Sequence, residues 1–308
     1  MFNRPVLEYD NHPIFAYHSV MEKETPRQQV LVPYDFSKGS ENALTTAIEL
    51  ATLFKCEISL FHALNKKNIR LYPEREEAEN IIRNKLIAIA RDVIALRQVP
   101  VNVYVFVDEV HQVVNKIYER INAIAVVAGL NTQKNAADYF TPGNLVTDYR
   151  NLRIPLIAVH EVLPRRTMFE GMVLPLDFNR ESKEKAAWAG HISTLNGSSV
   201  SILTRHYKDP YFAASLRSNL ALVKKLYTNL NVDYQIKFEA GLKSDIDKYA
   251  VDYAWLNQGA MVVIMATKEI AVDDFIFGLK EKSIIDNKYK MPVMLINPRD
   301  DLYLPCGC

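Results

Sequence analysis

The chain contains one short phrase twice, and this repeat constrains the fold more than any other feature. Residues 30–37 read VLVPYDFS and residues 172–179 read MVLPLDFN, so Asp35 and Asp177 occupy the same place in the two copies. In each copy an apolar run ends at a proline, the aspartate follows two residues later, and a helical pattern begins soon afterwards. This order predicts a buried strand whose tip, in an open α/β sheet, faces the crevice where ligands bind. We therefore predict two copies of one α/β domain.

The length of the chain agrees with two domains, because 308 residues exceed the usual size of one domain, about 150 residues. Hydrophobic residues make up 49% of the chain and charged residues 24%, a composition typical of globular proteins with well-filled cores. We predict an N-terminal arm over residues 1–27, a first domain over 28–163, a second domain over 167–299 and a C-terminal tail over 300–308.

The charge and hydropathy of the chain argue against several classes of partner. The 37 basic and 36 acidic residues give a formal net charge of +1, so no overall field favours nucleic acid or an anionic membrane. No apolar run approaches the roughly 18 residues that a membrane span needs. Three cysteines provide no disulfide framework, which fits a reducing compartment. We therefore predict a cytoplasmic protein that binds neither nucleic acid nor membrane.

Hydrophobic periodicity predicts the same order of strands and helices in both copies. After the strand that ends in VLVP, the predicted strands of the first copy are Glu57–Ala63, Val101–Val107, Ala123–Ala128 and Leu156–Val159. Its helices are one capped by Ser37 or Ser40, then Glu74–Arg97 and Val110–Arg120. The second copy has strands Met172–Leu176, Val200–Thr204, Tyr234–Phe238, Met261–Ala266 and Val293–Ile296, with helices Ser182–Thr194, Asp209–Leu230, Ser244–Asn257 and Lys280–Asn287. Right-handed crossovers between such strands give a doubly wound sheet.

Several phrases of the chain resemble the universal stress protein family in its tandem two-domain form. They are VPYDFS at a strand end, ENALTTAIELA in the following helix, ISLFHA in the second strand and IPLIAV in the last. The resemblance covers residues 28–161 and 169–298. It implies an α/β fold of two tandem doubly wound domains, each with a five-stranded parallel sheet of order 3-2-1-4-5 flanked by helices. It also implies that Leu156–Val159 and Val293–Ile296 pair as an intrachain pseudo-dimer, and the family's mode of pairing also allows a homodimer.

The resemblance also implies where an adenine nucleotide would bind. Family members that hold ATP carry the pattern G-x2-G-x9-G-[ST] after the fourth strand, and an acidic residue at the tip of the first. The first copy keeps only part of this pattern. It has the first and third glycines, but threonine stands at the second glycine and asparagine replaces the final hydroxyl residue. ATP is therefore predicted only in the first domain, at a weakened site made of Pro33, Asp35, Gly129, Thr132, Gly143 and Asn144.

The second copy departs further from the ATP pattern. Ala266 and Glu269 stand at the first two glycine positions, and Gly278-Leu279 closes the loop without a hydroxyl. A carboxylate at Glu269 would repel a phosphate. We predict that the second copy does not bind ATP.

Catalysis has little support in the sequence, so we predict a protein that is not an enzyme. The chain lacks GxxxxGK[ST] and G-x-S-x-G motifs, and its seven histidines form no H-x3-H or HExxH pair that would indicate a metal. Three hypotheses stay open: a non-catalytic stress-response protein that acts by sensing or by binding unknown protein partners, an ATP-binding switch or slow ATPase, and a scaffold without a ligand. Asp35 itself fits helix capping and ligand contact equally well.

Overall fold

The computed structural model of the protein describes residues 27–65, 69–130, 145–146, 149–150, 152–162, 167–239, 245–259, 261–267 and 280–298. Most of the predicted N-terminal arm and the whole predicted tail lie outside these residues. So do six positions of the predicted phosphate loops, namely Thr132, Gly143, Asn144, Glu269, Gly278 and Leu279.

The ten described strands form one continuous sheet. They are β1 Gln29–Pro33, β2 Glu57–Ala63, β3 Val101–Phe106, β4 Ala123–Gly129, β5 Leu156–Val159, β6 Met172–Pro175, β7 Val200–Arg205, β8 Tyr234–Glu239, β9 Met261–Met265 and β10 Val293–Ile296. Their order is β3-β2-β1-β4-β5-β10-β9-β6-β7-β8. Within each half all neighbours are parallel, and the order of each half is 3-2-1-4-5. The predicted fold class is confirmed.

Helices cover both faces of the sheet. They are α1 Lys38–Phe54, α2 Arg75–Arg97, α3 Val110–Ile117, α4 Glu184–Asn196, α5 Pro210–Asn229, α6 Ile246–Leu256 and α7 Lys280–Ile285. One core lies between the sheet and α1, α2, α4 and α5, and the other lies between the sheet and α3, α6 and α7. Because both faces are covered, the four central strands β4, β5, β10 and β9 are apolar along their whole length, as is typical of buried parallel strands. All seven residues of β4 are buried, for example.

The two halves meet at their fifth strands. β5 and β10 pair antiparallel, with Val293 opposite Ala158 and Leu295 opposite Leu156. Every residue of both strands is buried. The implied pairing is therefore present within one chain, and it covers two apolar edges that would otherwise offer free backbone groups to other chains.

The helix after β3 ends earlier than the sequence predicts, at Ile117 instead of Arg120. The chain must turn there into β4, and Asn122 adopts a left-handed φ of 52° to make that turn. The backbone N–H of Ala123 then bonds to the carbonyl oxygen of Tyr118 at 2.8 Å. Asparagine tolerates this conformation better than most residues, so the turn causes little backbone strain.

Candidate functional site

The tip of β1 is a polar turn built on Asp35. Its Oδ1 accepts hydrogen bonds from the backbone N–H of Ser37 at 2.9 Å and from Ser37 Oγ at 2.5 Å. Ser37 caps α1, because its Oγ accepts from the backbone N–H of Ser40 at 3.2 Å. Among the described residues no hydrogen bond reaches Oδ2 of Asp35. The half-buried carboxylate thus uses one oxygen to hold its turn, and its other oxygen has no bond with a described residue.

Two glycines bring the start of α1 against the end of β4. A Cβ on Gly129 would stand 2.1 Å from the carbonyl carbon of Gly39 and 2.4 Å from the backbone nitrogen of Ser40. A Cβ on Gly39 would stand 2.4 Å from the carbonyl oxygen of Leu130. These are backbone atoms, which cannot move aside as the end of a side chain can. Gly129 therefore has a packing role that does not depend on a nucleotide.

An aromatic wall borders the same strand tips. The ring of Phe36 lies 5.3 Å from the ring of Tyr34 and 5.3 Å from the ring of His62, and the Lys85 ammonium is 5.7 Å from the Phe36 centroid. His62 Nδ1 lies 2.7 Å from the carbonyl oxygen of Tyr34. Burial lowers the pKa of His62, and Lys85 lowers it further against the opposing effects of the Tyr34 carbonyl and Asp35. The imidazole is therefore held neutral beside the turn.

Tyr34 belongs to the core more than to the crevice. It is 6% exposed and contributes to the core under α1 and α2. Burial, followed by the charges of Glu41 and Asp35, raises the pKa of its hydroxyl to about 12. The Tyr34 hydroxyl thus stays protonated at physiological pH.

The equivalent turn of the second half uses its aspartate completely. Asp177 Oδ1 accepts from the backbone N–H of Asn179 at 2.9 Å, and Asp177 Oδ2 accepts from Asn179 Nδ2 at 2.7 Å. Asparagine at the position of Ser37 therefore binds both oxygens of the carboxylate. Asp35 and Asp177 look alike in sequence, yet only Asp35 keeps an oxygen free of bonds with described residues.

An ion network fills the carboxyl edge of the second half. Lys280 Nζ, at the start of α7, lies 2.8 Å from Asp245 Oδ2 and 2.5 Å from Asp247 Oδ2, at the start of α6. Lys185 of α4 is buried, with its Nζ 3.9 Å from Asp247 Oδ1. Burial disfavours the charge of Lys280, but Asp247 and Asp245 outweigh it and raise the pKa of that lysine above its usual value. Ion pairs thus join the start of α7 to the start of α6.

A buried carboxylate also occupies the tip of β9. Glu281 is 2% exposed, and its Oε1 accepts from both the backbone N–H and the hydroxyl of Thr267. A backbone N–H at a strand tip is the kind of donor that a phosphate would use. Here it is already bonded to an anion of the protein.

The structure thus brings together three of the six predicted site residues. Pro33 is the last residue of β1, Asp35 follows it by two residues, and Gly129 is the last residue of the neighbouring strand β4. Sequence reasoning missed Gly39, Lys280 and Glu281. Gly39 had a signal, because a glycine in the first turn of a helix is unfavourable unless another backbone approaches it. Lys280 and Glu281 had none, since their partners are distant in the chain.

Metals and membranes receive no support from the described residues. Within them no group of three or more histidine, cysteine, aspartate or glutamate residues could hold a metal ion. No helix in the described part of the chain is both long and apolar enough to cross a membrane.

The chain has a doubly wound α/β fold, a class in which ligands bind at the carboxyl ends of the parallel strands. At that edge of the first half, Asp35 lies near the contact between Gly39 and Gly129. Residues 26–141 match the model of the universal stress protein family. Over these residues the chain is therefore similar to a universal stress protein domain. No functionally curated protein shows significant similarity to the sequence.

Solved structures extend the likeness of the fold to both halves. A universal stress protein from Archaeoglobus fulgidus DSM 4304 is 14% identical, with a TM-score of 0.67 over 87% of this chain and 98% of that chain. A putative universal stress protein from Pseudomonas aeruginosa UCBPP-PA14 is 12% identical, with a TM-score of 0.56 over 90% and 95%. A functionally unknown protein from Pseudomonas aeruginosa PAO1 is 14% identical, with a TM-score of 0.56 over 90% and 94%. At these identities the likeness concerns the fold.

Proposed function

We propose that the protein is a non-catalytic cytoplasmic stress-response protein that acts by sensing or by partner binding, and that any adenine nucleotide binds in the first half only. The contrast between Asp35 and Asp177 carries this proposal. Oδ2 of Asp35 has no bond with a residue in the described part of the chain, whereas Asn179 binds both oxygens of Asp177. The buried Glu281 adds to the asymmetry, because its carboxylate already holds the backbone N–H of Thr267 and would repel a phosphate in the second half.

The proposed nucleotide site has three residues that the structure describes and three that lie outside the described residues. Pro33, Asp35 and Gly129 supply the strand tips, and Thr132, Gly143 and Asn144 would supply the phosphate side. An Asp carboxylate can accept hydrogen bonds from two ribose hydroxyls, and backbone N–H groups near glycines can hold phosphate. The Thr132 and Asn144 substitutions reduce the number of ideal donors, so we expect weak affinity.

The first experiment identifies the ligand. The protein is purified without added nucleotide and denatured, and released small molecules are identified by mass spectrometry, beside a calorimetric titration with ATP–Mg²⁺. We expect ATP to bind the native protein and Asp35→Asn to weaken it at least tenfold, because the amide removes the charge. Asp177→Asn is the matched control and should leave affinity unchanged.

Each alternative gives a different result in that experiment. Phosphate release that Asp35→Asn abolishes would favour a slow ATPase or an ATP-dependent switch. No nucleotide released and no heat of binding would overturn the nucleotide proposal and favour a scaffold. If Asp35→Asn and Asp177→Asn reduced the affinity for ATP equally, the proposal that ATP binds only in the first half would be contradicted.

We also propose the domain limits 28–163 and 167–299, with an arm over 1–27 and a tail over 300–308. The antiparallel junction at β5 and β10 supports an intrachain pseudo-dimer. Sedimentation equilibrium of the full chain tests whether a homodimer forms as well.

A further inference from the structure

A polar groove lies in the second half at the edge of the sheet where the strands begin. Its volume is about 660 Å³. It opens between the starts of β6, β7 and β8 and the ends of α4 and α6, opposite the edge that carries Asp177. Its lining includes Glu170, Ser199, Ser201, Asp233, Gln235 and Asn257.

The first half fills the corresponding place with its own side chains. Gln29 and Glu57 lie opposite each other at the start of the β1–β2 pair. Gln29 Oε1 accepts from Ser59 Oγ. Glu57 accepts from Asn102 Nδ2 at 3.0 Å and from Arg27 Nη1 at 3.4 Å. These polar side chains bond to one another across the starts of three strands.

The second half has small residues where the first has these long ones. Gly171 precedes MVLP as Gln29 precedes VLVP, and Ser199 precedes VSIL as Glu57 precedes ISLF. Gly171 has a φ of +103°, and nothing lies within 4 Å of the position of its missing Cβ. Ser201 and Gln235, the counterparts of Ser59 and Asn102, bond only to each other among these positions, at 2.9 Å. The groove therefore opens at the place where the first half carries two long polar side chains.

The chemistry of the groove selects its ligand. Hydroxyls and amides line it, together with carboxylates and one ammonium, that of Lys237, which lies 4.8 Å from the centroid of Tyr253. An apolar ligand would leave these groups without partners, at a cost of about 1–3 kcal/mol for each buried one. A ligand that offers donors and acceptors on every side satisfies them, and the volume suits a small molecule. We propose that this groove binds a small polyhydroxylated ligand, a sugar or a polyol.

This inference does not depend on the nucleotide proposal, because the groove lies in the second half and the Asp35 crevice lies in the first. The test uses saturation-transfer NMR of the full chain with glucose, trehalose, myo-inositol and sorbitol. NMR is needed because sugars at high concentration stabilise proteins by exclusion from the surface, so a thermal shift alone would mislead. We expect at least one probe to receive saturation from the protein.

Ser199→Glu tests the location, because it restores the side chain that fills the first half. Ser218→Glu, on the exposed surface of α5, adds the same charge elsewhere and is the matched control. We expect Ser199→Glu to weaken binding at least tenfold and Ser218→Glu to leave it unchanged, with both variants folded by circular dichroism. Absence of transfer to every probe would overturn the proposal, and so would equal binding by Ser199→Glu and the native protein.

Discussion

His160 and Asn297 occupy equivalent places in the two halves, and each bonds to the backbone of the other half. His160 directly follows β5, and its Nε2 lies 2.8 Å from the carbonyl oxygen of Ile285. Asn297 directly follows β10, and its Nδ2 donates to the carbonyl oxygens of Tyr149 at 2.8 Å and Leu152 at 3.0 Å. Both side chains are buried. The two contacts extend the β5–β10 pairing into side-chain bonds across the junction.

Replacing Asn297 should loosen the junction. Asn297→Ala removes two hydrogen bonds from buried carbonyls, and we expect the free energy of unfolding to fall by about 2 kcal/mol. Urea denaturation measures this change. Asn84→Ala, on the exposed surface of α2, should alter stability by less than about 0.5 kcal/mol. Equal stability of the two variants would contradict a structural role for Asn297.

Protonation of His160 should destabilise the protein in mild acid. Burial and then the cation Lys290 lower the pKa of His160 to about 4, against the opposing effects of the Ile285 carbonyl, Asp286 and Glu161. A lowered histidine pKa means that its contribution is complete above the unfolded pKa of about 6.5 and is lost as the pH falls toward the folded value. Between pH 7 and pH 5 the free energy of unfolding should therefore fall by about 2 kcal/mol from this group.

His160→Asn removes this titrating group and should reduce the dependence of stability on pH over this interval, leaving the share that comes from His62. His191→Gln, on the exposed side of α4, is the control and should keep the dependence of the native protein. Urea titrations at pH 7, 6 and 5 measure it. An unchanged slope in His160→Asn would show that another group is responsible.

A side chain at Gly129 should disrupt the fold whether or not nucleotide is present. In Gly129→Ala the new Cβ would meet the backbone of Gly39 and Ser40 at less than contact distance. We expect the free energy of unfolding to fall by at least about 3 kcal/mol, which is at the upper end for overpacked cores, because backbone atoms must move to admit the Cβ. Thr45→Ala, on the exposed face of α1, should change stability little. A native-like melting temperature for Gly129→Ala would contradict the packing role.

Lys280 should stabilise the second half in a way that depends on pH. Lys280→Met leaves Asp247 without its closest cation, and we expect a loss of about 2 kcal/mol at pH 7, a value reduced from that of a fully buried pair because the lysine side chain is 38% exposed. Lys38→Met, which breaks the exposed pair with Glu41, should cost about 0.5 kcal/mol or less.

The difference between Lys280→Met and the native protein should shrink in acid. Burial opposes ionisation of Asp245, but its bond to Lys280 and the charge of Lys280 hold the pKa of Asp245 below its ordinary value. Such a carboxylate stabilises the fold above the unfolded pKa of about 4, and this contribution is lost as the pH falls through the folded pKa. Stability measured at pH 7 and pH 2.5 checks this. A difference independent of pH would contradict the ion network as its source.

The order of strands and helices was predictable because it depends on local periodicity. The bounds Glu57–Ala63, Leu156–Val159 and Val293–Ile296 agree with the structure residue for residue. The prediction placed the start of the helix after Pro175 at Ser182, whereas residues 180–183 form a 3-10 turn and α4 begins at Glu184. Hydrophobic spacing does not distinguish a 3-10 turn from the first turn of an α-helix.

The candidate site was predictable only in part. The repeat located Asp35 and Asp177, but the two aspartates differ through the residue two positions later, because Ser37 binds one oxygen and Asn179 binds both. Whether one or both carboxylate oxygens are bonded depends on the orientation of the Ser37 and Asn179 side chains, which the residue types alone do not reveal.

The sequence by itself determined the fold class, the duplication and the positions of Asp35 and Asp177, because hydrophobic periodicity and a repeated phrase can be recognised from the order of residues alone. Only the tertiary structure decided that Gly129 packs on Gly39, that Lys280 bonds to Asp245 and Asp247, and that the second half carries an open groove. Each of these depends on atoms brought within a few ångströms of each other from distant parts of the chain. Hydrogen bonds, ion pairs and steric contacts act over such distances, so their pattern is fixed by the packing of the sheet and its helices.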